Sequence, residues 1–235
     1  MTSTVLNTAA WQAHAEQRLA HHRPQARESP TRMQWTQHPG LGPGTKILGD
    51  LAGRLVLELG CGPGHNLAHL VARHHAIGFG VDTAAAQIAR ARLHYGHLDG
   101  LTLLTADAAD FLSTTEHTFD VVYCVFGALG LSPPDPILAG IRQRLHTGGT
   151  LAFSTTHQPG LRNGHTPGPV IDTLALPDGQ HRTITRWAAH PSGWTALLAR
   201  HGFTTKDQHI VKPAQGPSCL IITANPTRAT ARRSS

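Results

Sequence analysis

The ten residues Leu55–Gly64, LVLELGCGPG, constrain the fold more than any other stretch. Leu55 to Leu59 is apolar except for Glu58, and a short apolar run ended by glycine suits a strand buried on both faces of a parallel sheet. Gly60, Gly62 and Gly64 follow at alternate positions. Glycine takes positive φ without strain, and its missing Cβ lets a ligand approach the backbone. Leu67, Leu70 and Val71 then fall at helical spacing. Strand, glycine turn and helix together form a cradle for a nucleotide-like ligand at a helix N-terminus.

The rest of the core repeats this rhythm. Ala76–Val81 reads as a second strand ending in Asp82, and a helix runs from Ala84 to about Tyr95. A carboxylate on that strand tip can accept hydrogen bonds from both hydroxyls of a ribose. It can equally cap the next helix, although Thr83 could fill that role. Leu101–Leu104 is a third strand followed by Asp107, which can cap the next helix. Phe119–Phe126 is a fourth strand left through Gly127. Asp135–Leu145 is a helix that turns through Gly148 and Gly149 into a fifth strand, Thr150–Ser154. Pro191–Arg200 reads as a helix, and Phe203–Val211 and Cys219–Ala224 as two final strands.

At 235 residues the chain suits one α/β domain with added elements. Residues 1–45 read as an N-terminal helical lid, with a helix over Thr8–Leu19; beyond it Met33 and Trp35 either pack on the core or close over the site. Residues 46–225 form the main domain. Within it, residues 158–187 form a substrate-facing insertion, and the composition of Gln158 to Gln180 indicates a loop. Residues 226–235 read as a disordered tail. Three well-separated cysteines, Cys61, Cys124 and Cys219, indicate neither a disulfide framework nor a thiolate zinc site. With no signal peptide and no membrane-length apolar run, they place the chain in the cytoplasm, away from membranes. His65 and His69 share a helical face but lack a third ligand, so no metal is expected. The formal charge is +6, yet the arginines are scattered, which argues against a nucleic-acid surface.

The dinucleotide fingerprint G-x-G-x-x-G is absent, because His65 stands where its third glycine would fall. The E-x-G-x-G-x-G run from Glu58 to Gly64, followed in order by Asp82, Asp107, Phe119–Gly127 and Gly148–Gly149, resembles the class I S-adenosylmethionine-dependent methyltransferases of the small-molecule, natural-product type. Thr147 departs from the proline usual in that family's Pro-Gly-Gly turn. The resemblance implies a Rossmann-like, seven-stranded, mostly parallel sheet with a C-terminal antiparallel strand pair and helices on both faces. It implies S-adenosylmethionine as cofactor, held by Glu58, Gly60, Cys61, Gly62, Gly64, Asp82, Thr83, Gln87, Asp107, Ala108, Cys124 and Gly127. Asp107 and the N–H of Ala108 would take the adenine. Trp35, Phe126 and His165 are expected at a small-molecule acceptor. His157, then His38, are the candidate general bases. A nucleic-acid methylase or binding protein and a nicotinamide-dependent oxidoreductase are the rival readings.

Overall fold

The computed structural model of the protein describes residues 2–21, 25–162, 164 and 166–227. Five strands, β1 (Leu55–Leu59), β2 (Ile77–Asp82), β3 (Leu101–Thr105), β4 (Phe119–Val125) and β5 (Leu145–Thr156), pair in parallel. β8 (Phe203–Val211) and β9 (Cys219–Pro226) complete a seven-stranded sheet in the order β3-β2-β1-β4-β5-β9-β8. β9 runs antiparallel to both β5 and β8. The order reverses between β1 and β4, so a crevice opens at their C-terminal ends, where open α/β sheets bind ligands.

Alternation along each strand divides the core between the two faces. Leu57, Leu59, Val122 and Cys124 point to one side, against α4 (Ala108–Thr114), α6 (Pro134–Arg144) and α7 (Pro191–Arg200). Val56, Val121 and Tyr123 point to the other, against α2 (His65–His74) and the segment carrying Met33 and Trp35. α3 (Ala85–Tyr95) packs Ile88 and Ala91 on Cys61 and Leu103. Each fully buried Leu or Val on these strands contributes about 1.5–3 kcal/mol relative to exposure.

Several expectations change. Of the two places open to Trp35, the structure gives it the core and not the acceptor site. It is fully buried beside Met33, its indole N–H donates to Gly44 O at 2.6 Å, and its ring meets Tyr123 edge-on. Cys124 is likewise buried in the core, which pushes its thiol up to about 12. The stretch read as a loop from Gln158 to Gln180 contains β6 (Gly168–Ala175), paired antiparallel with β7 (His181–Ala188) in a separate two-stranded sheet. β6 starts with Gly168 and Pro169 and leaves alternate residues exposed, and an edge strand tolerates such a composition. β5 begins at Leu145, with an irregularity opposite Phe119–Val121. The expected tail overlaps β9 at Pro226, and its residues 228–235 lie outside the described residues.

The N-terminal helix α1 (Ser3–His21) is longer than the periodicity predicts and buries Asn7, Ala10 and Ala15. Its hold on the body is polar. Asn7 Nδ2 donates to Leu131 O of α5 (Ala128–Leu131) and to Thr185 O of β7, both at 2.7 Å, and its Oδ1 accepts from Thr185 N. Gln12 accepts from Ala86 N at the start of α3, and Gln17 exchanges hydrogen bonds with Asp178 in the β6–β7 turn.

Candidate functional site

A cavity of about 350 Å³ lies over the C-terminal ends of β1, β2 and β4, within the range of small-molecule sites. Its floor is the glycine turn. Gly60 N–H and Cys61 N–H both donate to Val81 O, which ties the turn to β2. Gly60 has φ +73°, and a Cβ there would meet Gly127 Cα at 2.8 Å. The sheet reverses at this contact, and a side chain on either glycine would separate the turn from β4.

Asp82 crosses from the tip of β2 to the turn. Its Oδ2 accepts from Gly62 N–H and its Oδ1 from Ala84 N–H, each at 2.9 Å. Thr83 does not cap α3, since Ala84 is the N-cap and its N–H goes to Asp82. Each carboxylate oxygen keeps acceptor capacity toward the cavity. Burial raises the Asp82 pKa, opposed by the two backbone donors. Asp107 is the N-cap of α4, with Oδ1 accepting from Ala109 N and Asp110 N. Those bonds use Oδ1, so capping and ligand contact through Oδ2 are compatible.

Glu58 lies on the face of β1 that carries Val56, and it is the register partner of Tyr123 on β4. Burial pushes its carboxyl up to about 8, and the Asp82 charge adds to this against the Tyr123 hydroxyl. Its Oε2 has no hydrogen-bond partner among the described residues. A buried carboxyl left so incomplete at a cavity wall is suited to a cationic or hydrogen-bond-donating ligand.

The structure brings Glu58, Gly60, Cys61, Gly62, Asp82, Thr83, Gln87, Asp107, Ala108, Phe126 and Gly127 together around this cavity. Gln87 is buried and accepts from Arg90. Phe126 has φ +50°, which turns the chain out of β4. Gly64, Cys124 and Trp35 do not line the cavity. Gly64 is instead the left-handed N-cap of α2, close against Ala91.

The two candidate bases also lie elsewhere. His38 sits over Gly216 and borders a minor crevice of about 10 Å³. His157 extends the β5–β9 pairing through its N–H to Ser218 O, and burial with Lys212 and His190 nearby lowers its pKa. His165 lies outside the described residues. Among the described residues, no group of three or more His, Cys, Asp or Glu could hold a metal.

The sequence points to an N-terminal lid but does not single out the side chains of the opposite wall. That wall comes from α1 (Thr4, Asn7, Thr8, Trp11), from Gln34, Thr36 and Gln37, from α5 with Ser132, and from Arg186 of β7. Gln34 is locked to α2 by a reciprocal pair: its N–H donates to Asn66 Oδ1, and Asn66 Nδ2 donates to Gln34 O. Trp11 was the one visible signal, an aromatic on a largely polar helix.

Residues 56–149 match a family model described as "Methyltransferase domain". The chain is 27% identical over 150 residues to the ubiquinone biosynthesis O-methyltransferase of Acinetobacter baumannii, covering 63% of this chain and 57% of that protein. The chain thus spans little more than half the length of such relatives. In solved structures the fold matches DhpI bound to S-adenosylhomocysteine, with TM-score 0.63, 20% identity, and coverage of 97% of this chain and 100% of that one. It also matches the Burkholderia thailandensis 1,6-didemethyltoxoflavin-N1-methyltransferase with its acceptor and S-adenosylhomocysteine. There the TM-score is 0.56 and the identity 20%, with 75% and 72% of the two chains covered.

Proposed function

We propose that the chain is a class I S-adenosylmethionine-dependent methyltransferase that methylates a small-molecule acceptor of secondary metabolism by in-line displacement, a reading supported by the match of residues 56–149 to a methyltransferase domain. The observation that carries this reading is the convergence of Glu58, Asp82 and Asp107 on one cavity over the glycine turn. Asp82 would hold the ribose hydroxyls with its spare acceptor capacity. Asp107 Oδ2 and the Ala108 N–H would hold the adenine. The turn Gly60–Gly62 and Glu58 would face the cationic amino-acid end, with Thr83 and Gln87 closing the ribose side.

The cofactor supplies a methyl group on a sulfonium, already activated for displacement. The task of this chain is therefore positioning. Holding nucleophile, methyl and sulfur in line is worth up to about 7–11 kcal/mol in model reactions. α1 and residues 34–37 line the cavity opposite the strand tips, and their apolar atoms suit a reaction whose charge disperses. We assign residues 1–45 to this roof, 46–225 to the catalytic domain and 158–187 to acceptor binding. Three free, buried cysteines support a reducing, cytoplasmic setting. Among the described residues no helix is long and apolar enough to cross a membrane.

Calorimetry tests the reading. S-adenosylhomocysteine binds at micromolar concentration or below and NAD does not. Binding of NAD, or no binding of the homocysteine product, overturns it.

A further inference from the structure

Within the cavity, the wall opposite the strand tips differs from the floor in its charge. β1, β2 and the turn from β3 into α4 contribute the acids Glu58, Asp82 and Asp107. The wall built by α1, residues 34–37, α5 and β7 contributes hydroxyl, amide and apolar groups and, among the described residues, one permanently charged side chain, Arg186. Arg186 is held from behind. Its Nε pairs with Asp172 of the neighbouring β6, and its side chain is 15% exposed against 44% for Asp172. That pairing is made through Nε, and the residue still lines the cavity. Asn7 clamps the adjacent residue, Thr185, through both its N–H and its C=O, so the backbone that carries Arg186 is fixed.

This wall also lacks a base. The histidine that does line the cavity, His65, shares its Nδ1 with the Tyr95 hydroxyl at 2.7 Å, and burial lowers it to about 4. A phenol, carbon acid or protonated ring nitrogen would find nothing on this wall to take its proton. A carboxylate or phosphoryl oxyanion has none to lose at neutral pH, and it matches the planar fork of a guanidinium.

Resting on the reading that this cavity is a methyl-transfer site, we propose that the acceptor is a small oxyanion, a carboxylate or phosphoryl group, and that Arg186 selects it. One acid oxygen pairs with Arg186 and another attacks the methyl carbon. The new O–C bond forms as the C–S bond breaks, the electron pair returns to sulfur, and no proton moves. The products are a methyl ester and S-adenosylhomocysteine.

The test uses the full chain and methyl-labelled cofactor. A host metabolite extract is split on an anion exchanger into retained and flow-through pools. Label should enter the retained pool, and the product should lose one negative charge. Alkaline release of labelled methanol identifies a carboxylate ester; label that withstands alkali on a phosphorus-containing product identifies the phosphoryl one. Arg186→Gln should raise KM for the retained acceptor by roughly 10- to 100-fold. Arg186→Lys should recover only part of this, while both variants bind S-adenosylhomocysteine within about twofold of the parent. Labelling confined to the flow-through pool, a product that keeps its charge, or an unchanged KM in Arg186→Gln overturns the proposal. Loss of S-adenosylhomocysteine binding by the parent protein would instead remove the methyltransferase reading beneath it.

Discussion

Two acids at the site carry opposite duties that their partners distinguish. Asp82 is already engaged by two backbone donors, so it builds the site as well as lining it. Asp82→Ala should therefore weaken S-adenosylhomocysteine binding by roughly 10- to 100-fold, the scale of hydrogen bonds to a charged group. It should also lower the melting temperature, because Gly62 and Ala84 lose their acceptor. Calorimetry with thermal unfolding separates the two effects. Glu58 differs in being incomplete. With its pKa near 8 it holds a proton at pH 7 in the free protein. A cationic ligand beside it favours the carboxylate, so binding near pH 7 should release up to one proton. Calorimetry in buffers of different ionisation enthalpy should show this release, and Glu58→Gln should abolish it.

At the level of elements, α1 is attached to the body by side-chain amides as well as by the buried Ala10 and Ala15. Asn7 satisfies three backbone groups of α5 and β7, and Gln12 and Gln17 each reach a different element. Asn7→Ala leaves those groups unpaired at a cost of about 1–3 kcal/mol. That cost falls on docking of the helix rather than on the sheet. Hydrogen exchange of α1 amides should accelerate in this variant, while β1 and β4 keep their protection. Equal protection of α1 in the variant and the parent would show that the clamp is unimportant. The β6–β7 hairpin has a related role: it stands outside the main sheet and presents Arg186 to the cavity.

For the molecule as a whole, the buried site residues set a pH dependence of stability. The folded protein keeps the Glu58 proton to about 8, whereas the unfolded chain loses it near the ordinary 4.5. Between those values the folded state binds more protons, so this group lowers stability as pH rises. His65 acts in the opposite sense. It is held near 4 against an ordinary 6.5, so between these values the unfolded state binds more protons and stability rises with pH. The two oppose each other from about 4.5 to 6.5, and above 6.5 Glu58 acts alone of the pair. The melting temperature of the ligand-free protein should fall from pH 6.5 to 8, and Glu58→Gln should flatten that fall. A rise over this interval would contradict the burial of a Glu58 carboxyl with Oε2 unpaired.

Local pattern alone determined the parallel core, the glycine turn and the order of the acids on the strand tips. Each of these rests on short-range chemistry: apolar runs make buried strands, and a positive φ demands glycine. Strand-tip carboxylates then follow wherever such a sheet forms. Tertiary structure decided which side chains meet the cavity from outside that core. Trp35 and Trp11 are both N-terminal aromatics, yet Trp35 found an acceptor in Gly44 and a place in the core, while Trp11 lines the cavity. Nothing local distinguishes them, because the choice depends on where distant backbone leaves a partner or a gap. Arg186 is the same case: a strand arginine among scattered arginines, placed at the cavity because β7 pairs with β6 and is clamped at Thr185 by Asn7, 178 residues away in the chain.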